Sequence, residues 1–552
     1  MLLPLLLAVA APAADPLSRI PAGYTLAAVM PHPRAAADAV RNLPALTAAT
    51  RLAEVKAALA SPAVRRLAEL VAYYERDLGT EWPALLDKLA GRGIAVGAMF
   101  GQDDGPAVIA VEGTDPDAVA GFFASAVKFL DAGDGDTPVS LTRGTRAGAD
   151  TVTNGTDFHA ARRGPTLWVA NRADALSAAL DSSGPSLAAD AAPARALVGG
   201  DPLAWAWVDF APARRSQAAR DFFDGAAKDF LGVVVVGGTA DAARRADFVA
   251  AGLHRTPAGA RLEVKLPAKR ADLRPELALH VPPAGPGSLP LLNPPGTIYS
   301  QSFHLDLGTL WRERAKLING QTLKDIEKAE RDISKVLPNT TLGELLEMSG
   351  PYHRVVVADV PGDAYATKPV TPLPAAAVVL SMRDERFGKT TAAALRAGAF
   401  VATTQYKLKM STQDVDGVKV VCYRFPVGEP LDADPDRLRF NAVPCFAVVG
   451  EHLVVASRPE LVRALLPELK KTGGESPAVW RGRFDVGGAA GYLERYPEPV
   501  VNRALLGEGV SLAEAKQRAA AGLAWLATLG GVELSLDHRT DAYVVTVNWE
   551  AK

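Results

Sequence analysis

Ser125-Ala-Val-Lys128 places a hydroxyl one helical turn before an amine, and far downstream Lys471-Thr-Gly473 supplies a second lysine beside a glycine. Together, and in that chain order, they have the residue types of acyl-transfer chemistry in which lysine activates a serine nucleophile. Such a site needs a Ser-x-Asn element between the two and a strand to hold the second lysine. Here the middle element is missing, and Lys471 follows a helical run. Phe387-Gly-Lys-Thr390 has the tail of a phosphate-cradling loop, but Arg383 stands where the loop's first glycine must turn amides inward. Asp432, Asp434 and Asp436 have the alternation of a calcium loop's opening acids. Arg437 then occupies the glycine position and Val443 that of the bidentate glutamate. Solvated loop acids are the simpler reading of these three, and of Asp103-Asp104 and Asp134-Gly-Asp136.

No Gly-x-Ser-x-Gly occurs, and the eight histidines show no pair four apart on one helix face. The sequence therefore nominates no catalytic, cofactor-binding or metal-ligating residue. Asn154-Gly-Thr156 and Asn339-Thr-Thr341 fit a glycosylation triplet that is common by chance. Cys422 and Cys445 lie in apolar, strand-like runs separated by a polar stretch, placed either to form a disulfide across neighbouring strands or to stay buried as thiols.

The 552 residues are 48% apolar and 22% charged, with 60 Lys and Arg against 62 Asp and Glu. That balance gives no net field for drawing in nucleic acid or an anionic membrane. Leu2 to Ala10 is apolar and is followed by Ala11-Pro12-Ala13, so residues 1–14 read as a secretory signal without its usual basic start. No later stretch is apolar for long enough to span a bilayer. Export to a periplasmic or extracellular location is the expectation.

The elements that would carry any site are legible from periodicity. Ser61-Pro62 starts a helix with Val64, Leu67, Val71, Tyr74 and Leu78 on one stripe. Thr322 to Leu337 repeats the theme with Leu323, Ile326, Ala329, Ile333 and Val336 inward, and Thr341 with Glu344 has capping-box spacing. Arg261 to Leu266 alternates Leu262, Val264 and Leu266 with Arg261, Glu263 and Lys265, a strand with one wet face, and Tyr543 to Trp549 does the same. Each comes after a His-Arg-Thr, at His254 and His538, read as the polar end of a hairpin.

That recurrence belongs to a longer one. Pro21-Ala-Gly-Tyr-Thr-Leu26 answers Pro294-Pro-Gly-Thr-Ile-Tyr299, AYYERDL answers EKAERDI, and ALLDKLAG answers ELLEMSG. TLWVANRADALSAAL answers HLVVASRPELVRALL, and DPLAWAWVDF with Trp205 answers SPAVWRGRFD with Trp480. An internal duplication is expected, with Pro267 to Gly296 and its eight prolines as a surface linker between the halves. The expected fold class is α+β: two related halves, each a mostly antiparallel sheet with helices on one face. The expected units are 1–14 as signal, 19–180 and 200–266 as subdomains of the first half, 267–296 as linker, and 297–468 and 476–552 as subdomains of the second.

The Pro-x-Gly strand opening, the Leu-Leu-acid segment ending in glycine at Leu85 and Leu345, and the late L-x-V-A-x-R strand at Leu167 and Leu453 resemble a family of exported bacterial proteins known only as a domain of unknown function. The resemblance implies an envelope location and a repetitive α+β build, and brings no activity. The expected function is a non-enzymatic exported module for binding, scaffolding or contact with an envelope ligand or protein. The alternative is a periplasmic hydrolase whose site is assembled from residues distant in sequence.

Overall fold

A computed structural model of the chain describes residues 15–551 except 100–103, 133–139, 182, 216, 218–220, 222–229, 336, 338, 361–364, 366 and 429–433. The expected signal lies outside that set, as do Asp103, Asp134, Asp136, Val336 and Asp432.

Ten strands precede the proline-rich segment: β1 (Leu26–Met30), β2 (Gly93–Ala98), β3 (Ala107–Glu112), β4 (Thr142–Arg146), β5 (Ala149–Thr153), β6 (His159–Arg163), β7 (Thr166–Ala170), β8 (Ala204–Asp209), β9 (Phe248–Thr256) and β10 (Gly259–Leu266). Ten come after it: β11 (Thr297–His304), β12 (Ser349–Ala358), β13 (Ala375–Met382), β14 (Lys409–Val415), β15 (Val418–Arg424), β16 (Cys445–Val449), β17 (His452–Ala456), β18 (Trp480–Asp485), β19 (Gly531–His538) and β20 (Tyr543–Glu550). Every pairing among them is antiparallel, and the pairings form one line: β4-β5-β6-β7-β3-β2-β1-β8-β9-β10, then β20-β19-β18-β11-β12-β13-β17-β16-β15-β14. The second series, read from its outer edge, has the order of the first. They meet where β10 runs antiparallel to β20, with Leu262 opposite Val547 and Val264 opposite Val545, pairs of apolar side chains that lock the seam.

The two His-Arg-Thr hairpins therefore sit at the centre of the sheet. Their histidines are not exposed turn residues: His254 is 8% and His538 2% accessible, because each lies within its strand under a helix or a neighbouring element.

Helices cover both faces of the second series, where one was expected. In the second series Val379, Val454 and Ala456 pack beneath Leu461, Val462 and Leu465 of the helix Pro459–Leu469. The alternate residues Leu380, Leu453 and Val455 point the other way, onto Leu345 and Phe387 of the helices Leu342–Met348 and Glu385–Tyr406. In the first, Ala27, Val29, Trp168, Trp205 and Trp207 meet Leu176, Leu187 and Ala191 of the helices Ala173–Asp181 and Leu187–Val198. A strand sends successive side chains to opposite faces, so a sheet with both faces apolar recruits helices to each.

Local signals place the helix ends. Ser61 caps Pro62–Leu78 and Asn319 caps Gly320–Ser334, while Thr341 and Glu344 form the reciprocal capping box. The inward stripe of Gly320–Ser334 is shorter than its periodicity suggests: Ile326 touches the core, but Ala329 and Ile333 are exposed. The proline-rich segment has only the 3-10 turns Arg270–Asp272 and Pro275–His280, as lost amide donors require. It is not a surface strap: Leu277, Leu279 and Leu292 are wholly buried.

Candidate functional site

The predicted wet face of β10 is the covered one. Glu263 and Lys265 pair at 3.0 Å with side chains only 14% and 12% exposed. Lys265 Nζ donates to the carbonyls of Leu197 and Val198, at 3.0 and 3.2 Å, placing a cation on the negative end of the helix Leu187–Val198. Leu262, on the apolar side, is left 38% exposed. That side belongs to a groove.

Register defines the groove. Leu262 lies opposite Leu253 of β9, and Leu253 opposite Ala204 of β8. Ala251 lies opposite Ala206, Ala206 opposite Ala28 of β1, and Ala28 opposite Val96 of β2. Opposed residues share a face, so these side chains, with Met30 and Ile94, make one apolar floor with a cavity of about 360 Å³ above it. That volume is within the range of small-molecule sites, and among the described residues no ionisable or hydroxyl side chain lines it.

The second series is built differently at the matching place. Asp209 and Asp485 end β8 and β18 and cap the helices next in the chain, accepting from the amides of Ala211 and Gly488 at 2.8 and 2.9 Å. Counted back from these caps, Ala204 stands where the second series carries Trp480. Trp480 meets Phe303 and Leu536 around a smaller cavity of about 170 Å³, which Val234 and Val235 of the helix Phe230–Arg245 close. The helix that occupies the corresponding chain position, Leu512–Leu526, instead docks Trp525 on the Ala45 carbonyl at 3.0 Å. Small floor residues, with no helix among the described residues lying over them, leave the first groove open. The sequence match of Trp205 with Trp480 is thus one residue out of phase: Trp205 faces the helices Ala173–Asp181 and Leu187–Val198, and Trp480 faces the other side.

The smaller cavity gathers histidines that look scattered in the sequence. His280, His304 and His538 line it, from the proline-rich segment, β11 and β19. His280 Nε2 bonds the Val233 carbonyl at 2.9 Å and His304 Nδ1 that of Leu279 at 3.1 Å, each ring nitrogen donating. Burial pushes both imidazoles down to about 4, and lowers those of His353 and His538 as well. At neutral pH they are uncharged. Among the described residues no three His, Cys, Asp or Glu are grouped to hold a metal ion.

The residues singled out for chemistry are not brought together. Ser125 is buried and donates to Asp77 between two helices of the first series, while Lys128 points to solvent. Lys471 pairs with Glu468 at 2.6 Å at the far end of the helix Pro459–Leu469. Phe387, Lys389 and Thr390 lie within a helix, with Phe387 in the core and Lys389 paired to Glu385 at 2.7 Å. Asp434 accepts the amides of Leu438 and Arg439 at 2.6 and 3.2 Å, a turn-capping role. The Asn154 side chain is likewise occupied by the amides of its own turn.

Cys422 and Cys445 are directly opposite on β15 and β16, buried, and present as thiols. Opposed residues of an antiparallel pair stand at Cα separations that a disulfide accepts. Oxidation is therefore expected to close the bond without moving the strands and to add about 3 kcal/mol of stability, by the loop-entropy relation for a ring of this size. Urea denaturation of oxidised and reduced samples measures it; equal midpoints would show that the pair does not close.

The groove residues carry no recognised motif. The signal that could have found them is the alternation in Leu203-Ala-Trp-Ala-Trp207, which puts small side chains on one face and indoles on the other.

No family model and no curated protein matches the chain. Among solved structures, crystal forms I and III of TP0453 share 10% and 11% identity with it. They cover 47% and 48% of this chain and 81% and 83% of their own, both at a TM-score of 0.25, a likeness too slight to bear on fold or role. Among the described residues no helix is long and apolar enough to cross a membrane.

Proposed function

We propose that the protein is an exported, non-enzymatic binding protein that lodges an apolar ligand in the groove over β1, β2, β8, β9 and β10. One observation carries the reading: a ligand-sized recess floored by Ala28, Ala206, Ala251 and Leu253, with no nucleophile, acid or base on its walls among the described residues. Apolar surface left open in a folded chain costs about 25 cal/mol per Å² until something covers it. A ligand recovers that free energy without chemistry. The reading extends to the rest of the chain: it is the product of an internal duplication, the identical strand order of the two series and the paired His-Arg-Thr hairpins being its support, and only one copy keeps its groove open. The leader-like residues 1–14 support a periplasmic or extracellular location, as does the resemblance to the exported family of unknown function.

The test is titration of the purified protein with a straight-chain alcohol such as dodecanol, alongside a screen against ester, amide, phosphate and glycoside substrates. Saturable one-to-one binding with no turnover is expected. Turnover of any substrate class, or failure to bind dodecanol, would overturn the reading.

A further inference from the structure

The groove does not end at Leu253. That side chain also lines a second recess of about 400 Å³, lying between the helix Pro33–Arg41, the turn after it and the β9–β10 hairpin. Two residues further along the same face of β9, Arg255 lines this recess. Its cross-strand neighbour is Ala260, small enough to leave the guanidinium room. Arg255 is exposed, and among the described residues its side chain has no hydrogen-bond or ion-pair partner and is the only ionisable one of the lining, where Asn42 and Thr256 are the other hydrogen-bonding side chains. Among the described residues no carboxylate lines either recess.

From this juxtaposition we propose that the ligand is a free single-chain amphiphile with an anionic head, its alkyl tail along the alanine floor and its carboxylate on Arg255 and Asn42. The inference rests on the groove being a binding site, and adds the head group. An apolar trough says only that something oily fits. An unpaired guanidinium at one end, with five donors set for a planar oxyanion and no acid among the described lining residues to neutralise it, says which end of the molecule lies where. The head stays near water, so its desolvation cost is small and the pairing favours orientation and selectivity over raw affinity.

Titration calorimetry of the full chain with dodecanoate and with dodecanol, both below the concentrations at which they aggregate, tests this. Dodecanoate is expected to bind about three- to tenfold more tightly. Arg255→Ala should remove that advantage, weakening dodecanoate far more than dodecanol, and added salt should act in the same direction. Melting curves of Arg255→Ala check that the fold is intact, as an exposed side chain should allow. Equal affinities for the two ligands, or an Arg255→Ala protein that still prefers dodecanoate, would refute the head-group assignment while leaving the groove a binding site. Binding of neither would fall on the groove itself. Capture by anionic lipid vesicles without binding of free dodecanoate would refute a free amphiphile in favour of a membrane surface.

Discussion

Ala204→Trp is expected to abolish ligand binding, weakening dodecanol and dodecanoate alike by about 30-fold or more. Ala204 sits at the centre of the groove floor, between Leu253 of β9 and the end of β1. An indole there brings on the order of 150–250 Å² of side chain into the recess, enough to occupy the tail site. The substitution should be tolerated. The floor faces open space, so no packed neighbour must move, and the second series carries Trp480 at the corresponding place. The variant should melt at or slightly above the parent temperature, since the indole covers apolar surface that is otherwise wet. Ala204→Ser, which adds one polar atom and no bulk, should weaken binding by only a few fold. Unchanged affinity in Ala204→Trp, with an intact fold, would place the ligand elsewhere.

The second large effect concerns acid. His280 and His304 are held by burial down to about 4, against about 6.5 in an unfolded chain. In that interval the unfolded state binds protons that the folded state refuses. Stability is therefore fully present above about pH 6.5 and is lost as pH falls toward 4. At pH 5 each group removes roughly 2 kcal/mol relative to pH 7.5, and the pair about 4, a large share of an ordinary stability of about 5–15 kcal/mol. The charges around them do not reverse the sign. Asp306 favours protonation of His304, yet its pull is smaller than the burial cost, and His280 and His353 repel a charge on His304. At His538, Arg245 and Arg270 add to the burial that opposes protonation, and Asp241 favours it only weakly. Urea unfolding monitored from pH 7.5 to 4.5 should show the midpoint falling steadily across that window, and His280→Gln should remove about half of the slope between pH 6.5 and 5. A midpoint independent of pH above 5 would show these imidazoles to be accessible to protons in the folded state.

The helix closing the histidine cavity, Phe230–Arg245, is the one whose counterpart leaves the groove open. Acid should loosen the second series before it affects the first. In the protein with ligand bound, the groove is expected to persist to lower pH than the helix over the histidines.

Much of the local structure is legible in the chain. Ser61 and Thr341 announce helix starts because a side-chain oxygen must satisfy amides that the first turn leaves free. The hairpins of β9–β10 and β19–β20 arise from alternation broken by a turn. The prolines of 267–296 exclude a long helix or strand whatever surrounds them. None of the site is legible in the same way. Trp205 and Trp480 align by type yet face opposite sides of the sheet, because one residue of register reverses every side chain and sequence similarity does not weigh that residue. His280, His304 and His538 share no local pattern, and three separate segments bring them together.

What the sequence determines by itself is period, ends and turns, since these depend on forces between near neighbours: an amide and its cap, a side chain and the one two or four residues away. What only the tertiary structure decides is which face of a strand is closed. The alternation from Arg261 to Leu266 is the same whether Leu262 is roofed or bare, and Lys265 and Glu263 are covered because a helix from another part of the chain ends above them. Burial is a property of the partner, and among the described residues no helix covers the apolar face of β10 as one covers Trp480.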